Sequence, residues 1–506
     1  MTYQQFSPAI EWVVQSLSTS EGVIGMTSVV LCVAICYYVI TAIRSVYFHP
    51  LSSFPGPRLA AASNLVHVYY SITGNLSRWI ESLHREYGDT VRSKPNELSF
   101  INEAAWKDIY QHRPQMPKEI YIDPVNGVHS LLTADDENHT RMRRILAFAF
   151  SEKALREQET ILRDYADLLI QKLREESESG NLVDIVNWYN YTTFDIIGDL
   201  CFGESFHNLD NKGEHPWISG VLKAVKIGML HAQTRVIPPL GFLLKRAMPI
   251  FLKGARSRIF GFTQERINRR LKQEMQRPDF MTYVLRNEGT EKGLSRPEMA
   301  TNFLMLTNAG SETTATTLSG CTYYLLRNAH VLRHLKGEIR GSFESEKDIN
   351  VAAANKLPYL TAVLTETLRI HAPAPISFPR FVTPGGATIN GRWVPGGVVV
   401  GIPHRAAYQS EINFLEPLQF LPERWLEKRD PKFDGDQRGV LQPFSAGPRA
   451  CLGKNLAFAE MRLIMAKMIW NFDMELVNDD GNWANQQVYV LYQKKPMMVK
   501  LNPRKL

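Results

Sequence analysis

The stretch Phe444-Ser445-Ala446-Gly447-Pro448-Arg449-Ala450-Cys451-Leu452-Gly453 governs how the rest of the chain is read. It sets one cysteine in a Gly- and Pro-containing turn, ahead of a helical pattern at Leu456, Ala457, Ala459, Met461, Leu463 and Ile464. The sulfur therefore falls near a helix N-terminus. Unpaired N–H groups and the positive end of the helix dipole favour an anion there, and a thiolate is a metal ligand. Gly447 and Gly453 permit a sharp turn and close approach to a flat group, while Arg449 adds a cation two residues before the sulfur. A single cysteine ligand, a flat group and a cation for its carboxylates suggest haem. A lone cysteine is more often a small core residue, so other motifs must decide.

The spacing of Phe444, Gly447, Arg449, Cys451 and Gly453 resembles the haem-binding loop of the cytochrome P450 family. The resemblance implies a mostly α fold with a smaller β-rich region, preceded by a single N-terminal transmembrane helix. It makes Cys451 the axial ligand of the iron of haem b (iron protoporphyrin IX). The motifs elsewhere test it.

The sequence has 506 residues, 44% hydrophobic and 22% charged, enough for a large core. No Gly/Ser-rich linker or internal repeat divides it after residue 58, so residues 59–506 read as one catalytic domain. Five scattered cysteines do not form a disulfide framework. The net charge of +7 is not gathered into a basic block, and no nucleic-acid motif accompanies it.

Gly22 to Ile43 lacks charge and is long enough to cross a bilayer as a helix. Glu11 and Glu21 precede it and Arg44 and Arg58 follow, which places residues 1–21 in the lumen and the rest in the cytosol. The expectation is a single-pass protein of the endoplasmic reticulum membrane. The sequons at Asn75, Asn138 and Asn190 should then stay unmodified. Residues 44–58, with Pro50, Pro55 and Pro57, read as a stiff hinge, which resembles the segment after the anchor in microsomal fungal members of the family.

Further along, a helix is expected over Ser77–Tyr87, a strand pair over Thr90–Phe100 turned at Pro95-Asn96, and a pocket-shaping loop over Tyr121–Ala134. Val183–Phe202 reads as a helix ending at Gly203, and the apolar and basic Ala224–Pro249 as a segment of ordinary core packing, with contact to the membrane or cover over the pocket as the alternative. Ser295-Arg296-Pro297-Glu298 is a helix start, with the helix running to about Asn328. Its centre, Ala309 to Thr317, is rich in poor helix formers. Hydroxyl back-bonding there would open a gap beside Ala309 and Gly310.

His139 and Arg143 share a helix face and reach one anion together, whereas Arg141 and Arg144 point elsewhere, towards a redox partner. Glu366 and Arg369 form an i,i+3 pair on the surface of a helix over Pro358–Ile370, weak by itself.

The family resemblance gives these residues roles. His139, Arg143 and Arg380 join Arg449 around the haem propionates, with His139 standing where the family has Trp. Glu312 and Thr313 match its proton-delivering acid–threonine pair. Glu366 and Arg369, with Arg424, match a structural clamp ahead of the haem loop. Met305, Ala309, Ala374 and Ile376 would face the substrate.

The implied reaction is hydroxylation or epoxidation of an apolar small molecule, in fungal secondary metabolism. No flavin or nicotinamide fingerprint occurs, so the electrons are expected from a separate NADPH–cytochrome P450 reductase, serving a monomeric catalytic unit. Two other readings are a reductase-independent isomerase or dehydratase on the same fold, and a non-catalytic haem sensor. The intact Glu312-Thr313 pair argues against both.

Overall fold

The computed structural model describes residues 20–119, 124–234, 254, 258–273, 277–286, 288–290 and 293–504. Its centre is the 32-residue helix Arg296–Arg327, started by Ser295 and Glu298 in a reciprocal capping box with Pro297 in the first turn. Most of its residues are buried, because other helices cover nearly every face. Ile185–Phe202 packs along it, and Pro358–Ile370 and Lys454–Asn471 pack on other sides. Ile185–Phe202 stops where Gly203 takes a left-handed conformation, φ 69°. Val183 and Asp184, expected to open that helix, form a short strand instead, paired to Met498–Pro503. Asp184 then caps the helix through Val186 N–H.

A second, smaller core surrounds a four-stranded sheet in the spatial order Thr90–Lys94, Glu97–Phe100, Val399–Gly401, Arg380–Phe381. Only the Glu97–Phe100 and Val399–Gly401 pair is parallel. Leu98, Phe100 and Val400 are completely buried in it. The edge strand of this sheet positions Arg380. The fold is thus mostly helical with a smaller β-rich region, as expected.

The N-terminal helix runs Ser20–Tyr47 with its side chains exposed. Val23–Tyr47 has a mean hydropathy of 2.4. Among the described residues it is the one helix long and apolar enough to cross a membrane. The proline segment after it is pinned to the domain, since buried Arg92 donates its backbone N–H to the Pro55 carbonyl at 2.7 Å, and at the end of the helix the Arg92 guanidinium donates to the Ser45 carbonyl at 3.0 Å and Ser45 Oγ donates to Ala61 O at 2.5 Å. Residues 1–19, residues 121–123 of the expected pocket loop and residues 235–249 of the apolar, basic segment over 224–249 lie outside the described residues.

Candidate active site

Cys451 lies two residues before Gly453, the N-cap of Lys454–Asn471. Its N–H donates to the Phe444 carbonyl at 2.7 Å, which closes the loop on itself, and the Phe444 ring packs against Phe458 at 5.4 Å. Gly447 has φ +74°, and a Cβ there would stand 2.0 Å from the Tyr110 carbonyl oxygen. Its glycine is therefore demanded by protein backbone. Gly453 has only Phe150 near, at 3.8 Å, and φ −86°. Gly447 makes its close approach to protein backbone, and a Cβ on Gly453 would make only ordinary van der Waals contact.

The Cys451 side chain has open surface although the loop around it is half-buried. The thiolate bias expected from the helix terminus is not the net effect. Burial pushes the thiol up, opposed by the Gly453 backbone and by Arg143. Enclosing protein costs a bare thiolate more than one N–H and one guanidinium return, so full ionisation awaits a bound cation such as iron.

Around this loop the structure gathers cations. Arg143 Nη1 donates to the Ala450 carbonyl at 2.6 Å. Arg449 pairs with Asp136 at 2.6 Å, yet its Nη1 is buried without a partner among the described residues. Arg380 is only 4% exposed, and the contacts seen for it are a 3.5 Å bond to its own neighbour Pro379 and the Tyr110 ring at 5.3 Å.

Lys118 is a further member, one that no motif in the sequence marks. Residues 117–119 run antiparallel to 379–381, with Lys118 bridged to Arg380. Burial, then Arg449 and Arg380, push Lys118 down to about 7. His139 is buried and pushed down to about 4, by burial first and then by Arg449, Lys118 and Arg143. It is a neutral donor there. Lys118, Arg143, Arg380 and Arg449 thus lie near one another, with Asp136 paired to Arg449 and Asp135 close by, an arrangement that fits a group with two carboxylates of its own. Arg141, expected to face a partner, instead pairs with Glu298 at the start of the central helix.

That helix is buried along most of its length but turns Ala309 to open surface, with Gly310 and Thr313 half-buried. Thr313 Oγ1 donates to Ala309 O at 2.7 Å, and Thr314 to Gly310 O at 3.0 Å. The outward-facing residue of this turn is Ala309. A Cβ on Gly310 would meet Ile197 Cδ1 at 2.9 Å, so that residue serves helix packing. Glu312, one residue from Thr313, is buried on another face and bonded to Lys494 at 2.8 Å.

The expected surface pair Glu366–Arg369 is wholly buried. Arg369 donates twice to Glu366, at 2.7 and 2.8 Å, and to the carbonyls of Tyr408, Pro417 and Gln419. Arg424 lies 3.4 Å from Glu366 and pairs with Asp436. Asp436, which sequence reasoning missed, balances the cluster at two cations and two carboxylates.

Of the expected substrate-facing residues, Ile376 lines a recess of about 80 Å³ with Ser377, Met229, Gln233 and Val490. Ala374 is half-buried, and Met305 packs partly buried against the main core.

A Cys-bearing loop, a small-residue turn on a long buried helix and a cation cluster together define a haem-thiolate enzyme. The chain belongs to the cytochrome P450 family, whose sequence pattern it matches over residues 55–501, and it is a cytochrome P450 monooxygenase. It is 43% identical over 466 residues to Cytochrome P450 monooxygenase astJ of Aspergillus oryzae, covering 90% of this chain and 93% of that protein. It is 43% identical to Cytochrome P450 monooxygenase astA of Talaromyces wortmannii, covering 93% and 96%. To Averantin hydroxylase of Dothistroma septosporum it is 42% identical, covering 92% and 89%.

Proposed function

We propose that this chain hydroxylates or epoxidises an apolar small molecule of fungal secondary metabolism, using electrons from a separate NADPH–cytochrome P450 reductase. In the hydroxylation, one atom of dioxygen enters a C–H bond, the other leaves as water with two protons, and NADPH supplies the two electrons. A bound thiolate-ligated haem supplies the oxygen activation. Cys451 would ligate its iron, and Lys118, His139, Arg143, Arg380 and Arg449 would hold its propionates. Thr313 holds a proton on its hydroxyl beside Ala309, and Glu312 resupplies it. Glu366, Arg369, Arg424 and Asp436 hold the chain that leads into the Cys451 loop.

Residues 22–43 anchor the protein in the endoplasmic reticulum membrane with residues 1–21 lumenal. The pinned segment over 44–58 sets the stance of the cytosolic domain, residues 59–506. The relatives' names support a monooxygenase, and one of them is named for a hydroxylation. The recess at Ile376 exposes mainly apolar surface, with His67, Ser77, Glu97, Ser99, Gln233 and Ser377 as its polar residues, and that surface supports a largely apolar substrate.

The observation that carries this reading is the exposed Cys451 sulfur beside Arg143, with Arg449 of the same loop close to Lys118, Arg380 and Asp136. The test is the spectrum of the reduced, CO-bound protein. The red-shifted thiolate band should be present in the wild type and lost in Cys451→Ala; survival of the band in that variant would end the assignment. A metabolite profile of a strain carrying the same variant, with a precursor one oxygen lighter accumulating, would identify the substrate.

A further inference from the structure

A recess of about 470 Å³ opens where four elements meet: the end of Val351–Ala354, the Pro358–Ile370 helix, the turn Pro422–Trp425 and the Lys454–Asn471 helix. That volume lies in the range of small-molecule sites. The recess shares no residue with the one at Ile376, nor with the Cys451 loop and its cations. Pro358, Ala362, Trp425 and Leu426 give it an apolar wall, and Lys356 and Arg462 bring two cations to it.

Arg462 is half-buried, and the bonds that hold it go to neutral oxygens. Its Nε donates to Thr361 Oγ1 at 3.1 Å and its Nη1 to Asn355 Oδ1 at 3.0 Å, while the guanidinium lies 4.7 Å from the centre of the Phe458 ring. Burial draws its pKa down. Arg369, Arg424 and Arg270 each have a carboxylate partner, whereas neither Arg462 nor Lys356 is in an ion pair among the described residues. Two acids of the neighbouring chain are already engaged. Glu338 accepts from the N–H groups of Tyr359 and Leu360, at 2.8 Å each, and so occupies the N-terminus of the Pro358–Ile370 helix. Glu423 accepts from the Tyr359 hydroxyl at 2.6 Å. Glu427 also lines the recess and is exposed, which leaves two cations against one carboxylate.

A guanidinium partly withdrawn from water and fastened by neutral dipoles keeps its charge for an incoming acceptor. We propose that this recess is a second ligand site that takes a small organic acid, with the apolar body against Trp425, Leu426, Pro358 and Ala362 and the carboxylate on Arg462 and Lys356. Both anchors are set before a ligand arrives, which lowers the entropy lost on binding. Trp425 Nε1 donates to Glu366 Oε2 at 2.8 Å, so the indole is fixed to the buried clamp. Phe458, beside the Arg462 guanidinium, is fixed in turn against Phe444. An inorganic anion would meet the cations and leave the apolar wall in water.

The experiment is calorimetric titration of the haem-loaded full chain at pH 7 with indole-3-acetate, compared with indole-3-acetamide and inorganic phosphate. Clotrimazole, bound at the haem iron, fills the substrate pocket throughout. Indole-3-acetate should bind as one molecule per chain. The amide has the body without the charge and phosphate the charge without the body, and each should bind roughly 10-fold or more weakly. Arg462→Gln removes a charge-assisted hydrogen bond and should weaken the acid roughly 10- to 100-fold.

Lys356 is exposed, so Lys356→Glu keeps the test open should Arg462→Gln fold poorly. Its introduced carboxylate would neutralise Arg462 and should weaken the acid as well. The red-shifted band of the reduced, CO-bound protein checks that each variant is folded. Equal binding of acid and amide, an affinity for the acid unchanged in the folded variants, or no saturable heat with the acid would overturn the proposal. Phosphate binding as tightly as the acid would overturn it too, since the apolar wall would then contribute nothing.

Discussion

Asp436→Asn keeps the shape of the side chain and removes one charge from the fully buried cluster of Glu366, Arg369, Arg424 and Asp436. In the wild type, Asp436 Oδ2 accepts from Arg424 and Oδ1 accepts from Leu415 N–H at 2.7 Å. An amide can present only one acceptor oxygen. Whichever way the introduced amide turned, its NH2 would face a donor, either the Arg424 guanidinium or Leu415 N–H. The cluster would also carry a net positive charge away from water. Removing one partner of a buried pair costs about 3–5 kcal/mol. Unfolding entropy over residues 55–501 is about 0.9 kcal/mol per degree, so Tm should fall by about 3–5 °C.

The assay is calorimetric unfolding of the haem-loaded enzyme, with Lys153→Met as control. Lys153 is 82% exposed and 3.9 Å from Glu157, and its loss should move Tm by less than about 1 °C. A Tm for Asp436→Asn equal to that of the control would refute the reasoning. It would mean that Glu366 alone neutralises both arginines.

Other outcomes rest on the same geometry. Gly447→Ala puts a Cβ 2.0 Å from Tyr110 O at φ +74°; the displaced loop should lower the yield of haem-loaded protein severely, read as the Soret-to-protein absorbance ratio. Lys118→Met removes a cation from the cluster beside Arg380 and Arg449, and loss of a charged hydrogen bond of about 1.5–3 kcal/mol should speed haem transfer to apomyoglobin roughly 10- to 100-fold. Burial holds His84 and His404 at about 4 and His371 at about 3. The unfolded chain takes protons at about pH 6.5 and the folded one does not. Stability should therefore be full above that pH and fall on acidification towards pH 4, by about 1.4 kcal/mol per pH unit for each histidine. Denaturant midpoints at pH 7 and pH 5 measure this.

Local order carried much of the chain's meaning. The capping box at Ser295 and Glu298, the Gly203 stop, the Pro358 start and the Cys451 loop are fixed by residues a few positions apart, so the sequence alone located them. Spacing also brought out Glu312-Thr313, His139 with Arg143, and Glu366 with Arg369. Burial and long-range pairing were set by packing. The Glu366–Arg369 pair looked like a surface contact because i,i+3 spacing carries no information about what covers it. Asp436, Lys118 and Lys494 gave no signal, because the neighbour in space of each, Arg424, Arg380 or Glu312, belongs to a different element of the chain. The sequence determined that Cys451 sits in a haem-type loop. Tertiary structure decided which cations surround it and which way Glu312 turns, because a charge finds its partner across space and a short motif records only neighbours along the chain.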